Sequence, residues 1–115
     1  MAGEAMAANY ALHFTLALAA YLGFRIGGRY TPQTPVLDLQ EGVFAVEAHV
    51  HSLEGYLAEA TDLLMEAKTM DDLGAIRLNR ELRRNLLQAY QLFYALHVPD
   101  FGTLRSLPVL QDILG

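Results

Sequence analysis

Arg77, Arg80, Arg83 and Arg84 form the densest basic cluster of the chain, offset locally by Glu81 alone. On a helix, Arg80 and Arg84 share one face at i, i+4, and Arg83 lies one position along the surface. Guanidiniums at a helix N-terminus oppose the helix dipole, which disfavours cations there. Such a cluster implies an anion nearby, and two sources stay open. One is an external phosphate or acidic peptide gripped by guanidinium forks. The other is internal, with Glu59, Asp62 or Glu66 pairing with these arginines. A second group, Glu47, His49 and His51, alternates along the chain. An extended segment would point all three to one side, and His-x-His with a carboxylate is a partial zinc set. No fourth ligand is visible, so the expectation is no metal, no cofactor and a solvated loop. His13 is expected as a hydrogen-bonded core residue or as a contact to a further segment. His97 ends a helix, where an imidazolium is favoured.

Covalent catalysis finds little to work with. The chain has no cysteine, and its serines, Ser52 and Ser106, sit in no Gly-x-Ser-x-Gly elbow. Asp71-Asp72 are helix-start residues before anything else. Gly23, Gly27 and Gly28 follow no strand and so make no dinucleotide fingerprint. The expectation is a protein that is not an enzyme. Net charge is −5, whereas a globally nucleic-acid-binding domain is basic. The absence of cysteine excludes a disulfide scaffold, a thiol nucleophile and cysteine zinc sites, and fits a reducing, cytoplasmic compartment.

The elements that must position these groups read as mainly α. With 115 residues and 53% hydrophobic content, the chain fits one domain with a real core. A first helix is expected from Glu4 to Leu22, with Gly23 as its left-handed cap and Phe24 folded back on the last turn. The residues from Ala5 to Phe24 carry no charge, which meets the length of a spanning helix. Asn9, His13, Thr15 and the many alanines argue instead for a central helix covered on several sides. Residues 25–35 hold two glycines and two prolines and read as loop. Val36–Leu39 and Val43–Val46 around Gly42 predict a small hairpin that must lean on the helices. Ser52 is expected to cap a second helix, Glu54 to Lys68, with Leu57, Ala60, Leu64 and Ala67 buried and Glu59, Asp62 and Glu66 facing solvent. Thr69 and Asp72 form a capping box for a short helix reaching Arg77. Asn79 caps the longest clear helix, Arg80 to His97, whose Leu82, Leu86, Ala89, Phe93 and Leu96 make the core seam. Ser106 caps a last short helix. The expected architecture is about five helices around a central apolar helix, with one small β-hairpin.

The last third carries a more specific signal. Tyr94-Ala-Leu-His-Val-Pro-Asp-Phe101, then Leu104-Arg-Ser-Leu107 and Val109-Leu110, resembles the end of the bacterial DNA-repair mediator family RecO, in its cysteine-free branch. Asn9-Tyr10 with Leu12, Phe14, Leu16 and Tyr21-Leu22-Gly23-Phe24 is similar to that branch's central helix. Leu37-Asp-Leu-Gln-Glu-Gly42 with Phe44 resembles its hairpin. The resemblance covers residues 9–115, a C-terminal helical domain without the family's leading oligonucleotide-binding barrel, and leaves residues 1–8 as a linking start. In many relatives four cysteines near the hairpin hold zinc. Here residues such as Asp38, Glu41 and Glu47 stand at those places, so zinc ligation does not carry over.

The family implies recombinational repair. Its members bind and anneal DNA strands and, with RecR, load recombinase onto strands coated by single-stranded-DNA-binding protein. They contact the acidic, Phe-terminated tail of that coating protein through the helical domain. On this resemblance the partners expected are that tail, RecR and DNA, the last only weakly for this segment, and no membrane. The residues expected to meet the tail are Arg77, Arg80, Arg83 and Arg84, with Phe93 or Tyr90 on the same helix supplying an apolar pocket. The alternative is a helical protein-interaction domain associated with a membrane through residues 5–24.

Overall fold

The computed structural model describes residues 2–101, with side chains from residue 6 onward. Helix α1 (Ala2–Tyr21) is followed by strands β1 (Val36–Asp38), β2 (Val43–Ala45) and β3 (Ser52–Leu53). Helices α2 (Gly55–Glu66), α3 (Met70–Ala75) and α4 (Arg80–His97) complete the order. The chain is mainly α with a small sheet. Two features of the expected architecture need correcting. The described residues hold four helices, not about five, and the hairpin belongs to a three-stranded antiparallel sheet of order β2-β1-β3. The helix expected from Ser106 lies outside the described residues.

The third strand escaped notice because it is two residues long and shows no alternation. Ser52 does not cap α2. It pairs with Asp38, and its hydroxyl accepts the His49 N–H at 2.9 Å. Helix α2 starts instead at Gly55, which adopts φ +59°, with Glu54 as an N-cap that makes no side-chain bond. In the sheet Leu37 faces Phe44 on one side and Leu53 on the other, and it is fully buried. Gly42 takes the left-handed turn position at φ +70°. Asp38 is buried, and its Oδ1 accepts the Gln40 and Glu41 N–H groups at 3.0 Å each. The outer edge of β2 is not free. Gly27 donates to Gly42 O at 2.8 Å and accepts from Phe44 N at 3.1 Å. A Cβ at position 27 would lie 3.2 Å from Val43 Cγ1, a tight contact that a larger residue could make only if the Val43 side chain shifted.

Helix α1 packs against α2, α3 and α4. It ends as its sequence implies: Gly23 N–H bonds Ala20 O at 3.0 Å and Phe24 N–H bonds Ala19 O at 2.8 Å. That pair of bonds is a Schellman motif, and Gly23 sits at φ +97°. Helix α2 stops at Glu66, two residues early, because the Lys68 and Thr69 N–H groups turn to the Asp72 carboxylate at 2.9 and 3.2 Å. Helix α4 has the expected bounds, with the Asn79 Oδ1 accepting Leu82 N–H at 2.7 Å. Its buried residues are Leu86, Ala89, Tyr90, Phe93 and Tyr94, whereas Leu96 is 40% exposed. The hairpin leans on the end of this helix. His97 Nε2–H donates to Leu39 O at 2.8 Å, and the His97 ring lies 4.4 Å from that of Phe93. No helix among the described residues is long and apolar enough to cross a membrane.

Candidate partner-binding groove

Helix α1 is apolar nearly all round, and the side chains of Asn9 and His13 join it to its neighbours. Asn9 is fully buried. Its Nδ2 donates to Leu73 O at 2.8 Å and to Ile76 O at 3.0 Å. These carbonyls lie at the end of α3, where a helix leaves such groups without intrahelical partners. The Asn9 Oδ1 accepts from Arg83 Nε at 3.1 Å, so one amide ties α1, α3 and α4 together. His13 Nδ1–H donates to Leu64 O at 2.6 Å, in the place that Lys68 N–H would take if α2 continued. Thr15 Oγ1 bonds Ala11 O at 2.9 Å, and the Thr15 carbonyl accepts the Tyr94 hydroxyl at 2.7 Å. Among the described residues no buried side-chain polar atom lacks a partner.

This joint sets the first turn of α4 beside α1. Arg80, Arg83, Arg84 and Leu87 line one wall of a groove of about 350 Å³, and Ala8, Ala11 and Leu12 line the other. The small side chains of α1 keep the groove open, and the stems of the arginines form part of its apolar surface. Arg77 does not join them. It lines a separate groove between α2 and α3 with Tyr56, Leu63 and Ile76, and its carbonyl accepts the Tyr56 hydroxyl at 2.8 Å. Phe93 and Tyr90 do not supply the pocket either. Both are at most 2% exposed in the core, because they sit on the face of α4 turned to α2 and the sheet. Leu87 and Leu12 take that place.

The internal anions expected for these arginines are engaged elsewhere. Asp62 is buried rather than solvent-facing. It receives a two-pronged contact from Arg29, Nε to Oδ1 at 2.7 Å and Nη2 to Oδ2 at 3.2 Å. Arg29 Nη1 also meets Glu66 Oε1 at 2.8 Å. The hydrogen bond that it donates to Asp62, supported by the charges of Asp62 and Glu66, raises the Arg29 guanidinium above its ordinary value. The other close cation–anion approach among the described residues is His49 Nε2 to Asp38 Oδ2 at 4.0 Å, ionic only when the imidazole is protonated. None reaches Arg77, Arg80, Arg83 or Arg84. Glu47, His49 and His51 do not converge on one side, and no group of three such residues among those described is placed to share an ion.

The structural roles of two residues, Asn9 as a joint between helices and Arg29 as the partner of Asp62, were not read from the sequence. Asn9 had a signal, a lone amide inside an uncharged run. Arg29 had none, since it lies in a Gly/Pro-rich loop without periodicity.

Comparison with known proteins gives relatives over nearly the whole chain. A DNA repair protein RecO of Christiangramia forsetii is 34% identical over 94% of this chain and 45% of its own length. A DNA repair protein RecO of Azobacteroides pseudotrichonymphae is 23% identical over 91% of this chain and 44% of its own length. The chain therefore spans less than half the length of the curated relatives it matches. No protein-family model and no solved structure matches it.

Proposed function

This chain is a RecO-related domain, and on that premise we propose that it is the helical binding domain of a DNA-repair protein. In this reading the groove between α1 and α4 takes the acidic, aromatic-ended tail of single-stranded-DNA-binding protein. The observation that carries the reading is the pairing of charge with apolar surface. Arg80, Arg83 and Arg84 stand around a groove floored by Leu12 and Leu87, while Asp62 and Glu66 are held by Arg29. Carboxylates of a bound tail meet guanidinium forks that no carboxylate among the described residues engages, and its terminal ring enters an apolar slot. The domain works by binding and not by catalysis. It belongs to a cytoplasmic recombination mediator that anneals strands and, with RecR, helps load recombinase. DNA contact by this segment alone is weak, given a net charge of −5.

Arg80 and Arg84 are the residues to test. Arg83 also holds buried Asn9, so removing it disturbs packing as well as charge. Replacing Arg80 and Arg84 together by Ala should weaken binding of a fluorescent tail peptide at least about tenfold, one decade per 1.4 kcal/mol. The helix should persist, because Ala is the better helix former and the dipole conflict is relieved. Unchanged affinity in a folded double variant would place the tail elsewhere.

A further inference from the structure

Arg83 differs from the other arginines of the groove. Arg80 and Arg84 are exposed, whereas Arg83 is half-buried. Among the described residues no ion pair reaches it, and its guanidinium bonds only Asn9, from Nε–H to Oδ1 at 3.1 Å. Asn9 itself is fully buried, and its partners permit one orientation of the amide. Its Nδ2 donates to the Leu73 and Ile76 carbonyls, so its oxygen faces the guanidinium, which has donors only. A neutral acceptor thus stands where a carboxylate would cancel the charge. The carbonyls at the end of α3 polarise that amide toward Arg83. A cation partly withdrawn from water without a counter-ion is costly. The amide meets one of several N–H groups and leaves the charge to the groove that Arg83 lines.

We propose that Asn9 is a positioning residue for binding in the α1–α4 groove: it holds Arg83 through Nε and presents the Nη edge of that guanidinium, uncancelled, to a carboxylate of the ligand. The inference rests on the acidic-tail reading of the groove. Asn9 touches no ligand in this role and acts through Arg83. Fixing a long side chain before binding spares the ordering cost that the exposed Arg80 and Arg84 incur when they engage. It also fixes the plane of the fork, which two-pronged contact with a carboxylate needs and an ammonium lacks. An aspartate at position 9 would pair with Arg83 and set its charge against the Leu73 and Ile76 carbonyls. An amide is the group that meets both neighbours and leaves the cation free to act outward.

Lysine replacements separate the geometry of the fork from its charge. In titrations with the fluorescent tail peptide, Arg83→Lys should weaken binding at least about tenfold. Arg80→Lys with Arg84→Lys should lose a smaller factor, about threefold, because exposed charges act through a screened field. Asn9→Ala should lose about as much as Arg83→Lys, and the two combined no more than either alone, because both remove the same interaction. Affinities are compared at a temperature where melting curves show each variant folded. An Asn9→Ala protein that melts lower but binds like the wild type overturns the proposal. So do losses that add in the double variant. Should Asn9→Ala fail to fold, the lysine series and the wild-type Arg83 Nε–H resonance decide. That proton should exchange with solvent more slowly than those of Arg80 and Arg84, and its resonance should shift as peptide is added. Equal exchange at all three, or a loss for Arg83→Lys no larger than that of the exposed pair, overturns the proposal while leaving the tail reading intact. A wild-type chain that does not bind the peptide overturns both.

Discussion

Tyr90 and Tyr94 bring two hydroxyls into the core on one face of α4, and both are about 1% exposed. Each needs a partner, since an unpaired buried hydroxyl costs more than its bond returns. Thr61 gives its own proton to Leu57 O at 2.9 Å, so the Tyr90 hydroxyl donates to Thr61 Oγ1 at 2.8 Å. Tyr94 donates to the Thr15 carbonyl at 2.7 Å. Burial opposes the phenolate in both. It raises Tyr90 above its ordinary value and pushes Tyr94 up to about 12. A raised folded-state value means that stability is fully present below the unfolded value of 10.0 and is lost as pH climbs from there toward the folded value. Urea midpoints should therefore fall between pH 10 and about 12. Tyr94→Phe should lower stability at neutral pH by about 1 kcal/mol and flatten the alkaline decline. An equally steep decline in that variant would assign the loss to other groups.

Helix α3 is only six residues long, too short to persist by propensity. It is held by its ends. Thr69 Oγ1 accepts Asp72 N–H at 3.0 Å, while the Asp72 carboxylate accepts from Lys68 and Thr69 N–H. At the other end Asn9 takes the Leu73 and Ile76 carbonyls. The backbone hydrogen bond from Lys68 leads the causes that lower the Asp72 carboxyl below its ordinary 3.8. A lowered folded-state value means that this contribution is present above 3.8 and fades as pH falls below it. Thr69→Ala should cost about 1 kcal/mol, as loss of an N-cap typically does. Asp72→Asn should remove the acid-linked part of the loss in denaturation curves taken from pH 5 downward. Amide exchange should speed up first in α3 in both variants.

At the scale of the molecule, an ion pair ties the Gly/Pro-rich loop to the helical layer, beside the packing of Ile26 in the core. Arg29 spans from residues 25–35 to Asp62 and Glu66 on α2. Its truncation leaves the Asp62 carboxylate buried with no counter-charge, which destabilises more than loss of an exposed pair does. Arg29→Ala should lower the thermal midpoint well below that of the Arg80→Ala/Arg84→Ala double variant. The reverse ranking would mean that the α4 arginines are the structural ions. Tail affinity should respond in the opposite order, provided binding is measured where both variants are folded.

The sequence by itself determined the glycine cap that ends α1, both ends of α4, the capping box of α3, the turn at Gly42 and the relation to RecO. These are local matters: a left-handed glycine, an Asn or Thr cap and a 3.6-residue periodicity act within a few positions. It also placed Arg80, Arg83 and Arg84 together on one turn. Only the tertiary structure decided which anion each cation meets, because Arg29 and Asp62 are 33 residues apart and no spacing rule links them. The same holds for Asn9 and Arg83, for the two-residue strand β3, and for the burial of Phe93 and Tyr90 away from the groove. An all-round apolar helix such as α1 offers no preferred face in sequence. Packing chose its inner side, through the side-chain bonds of Asn9 and His13 and the Thr15 carbonyl, and left Tyr10 and Tyr21 exposed.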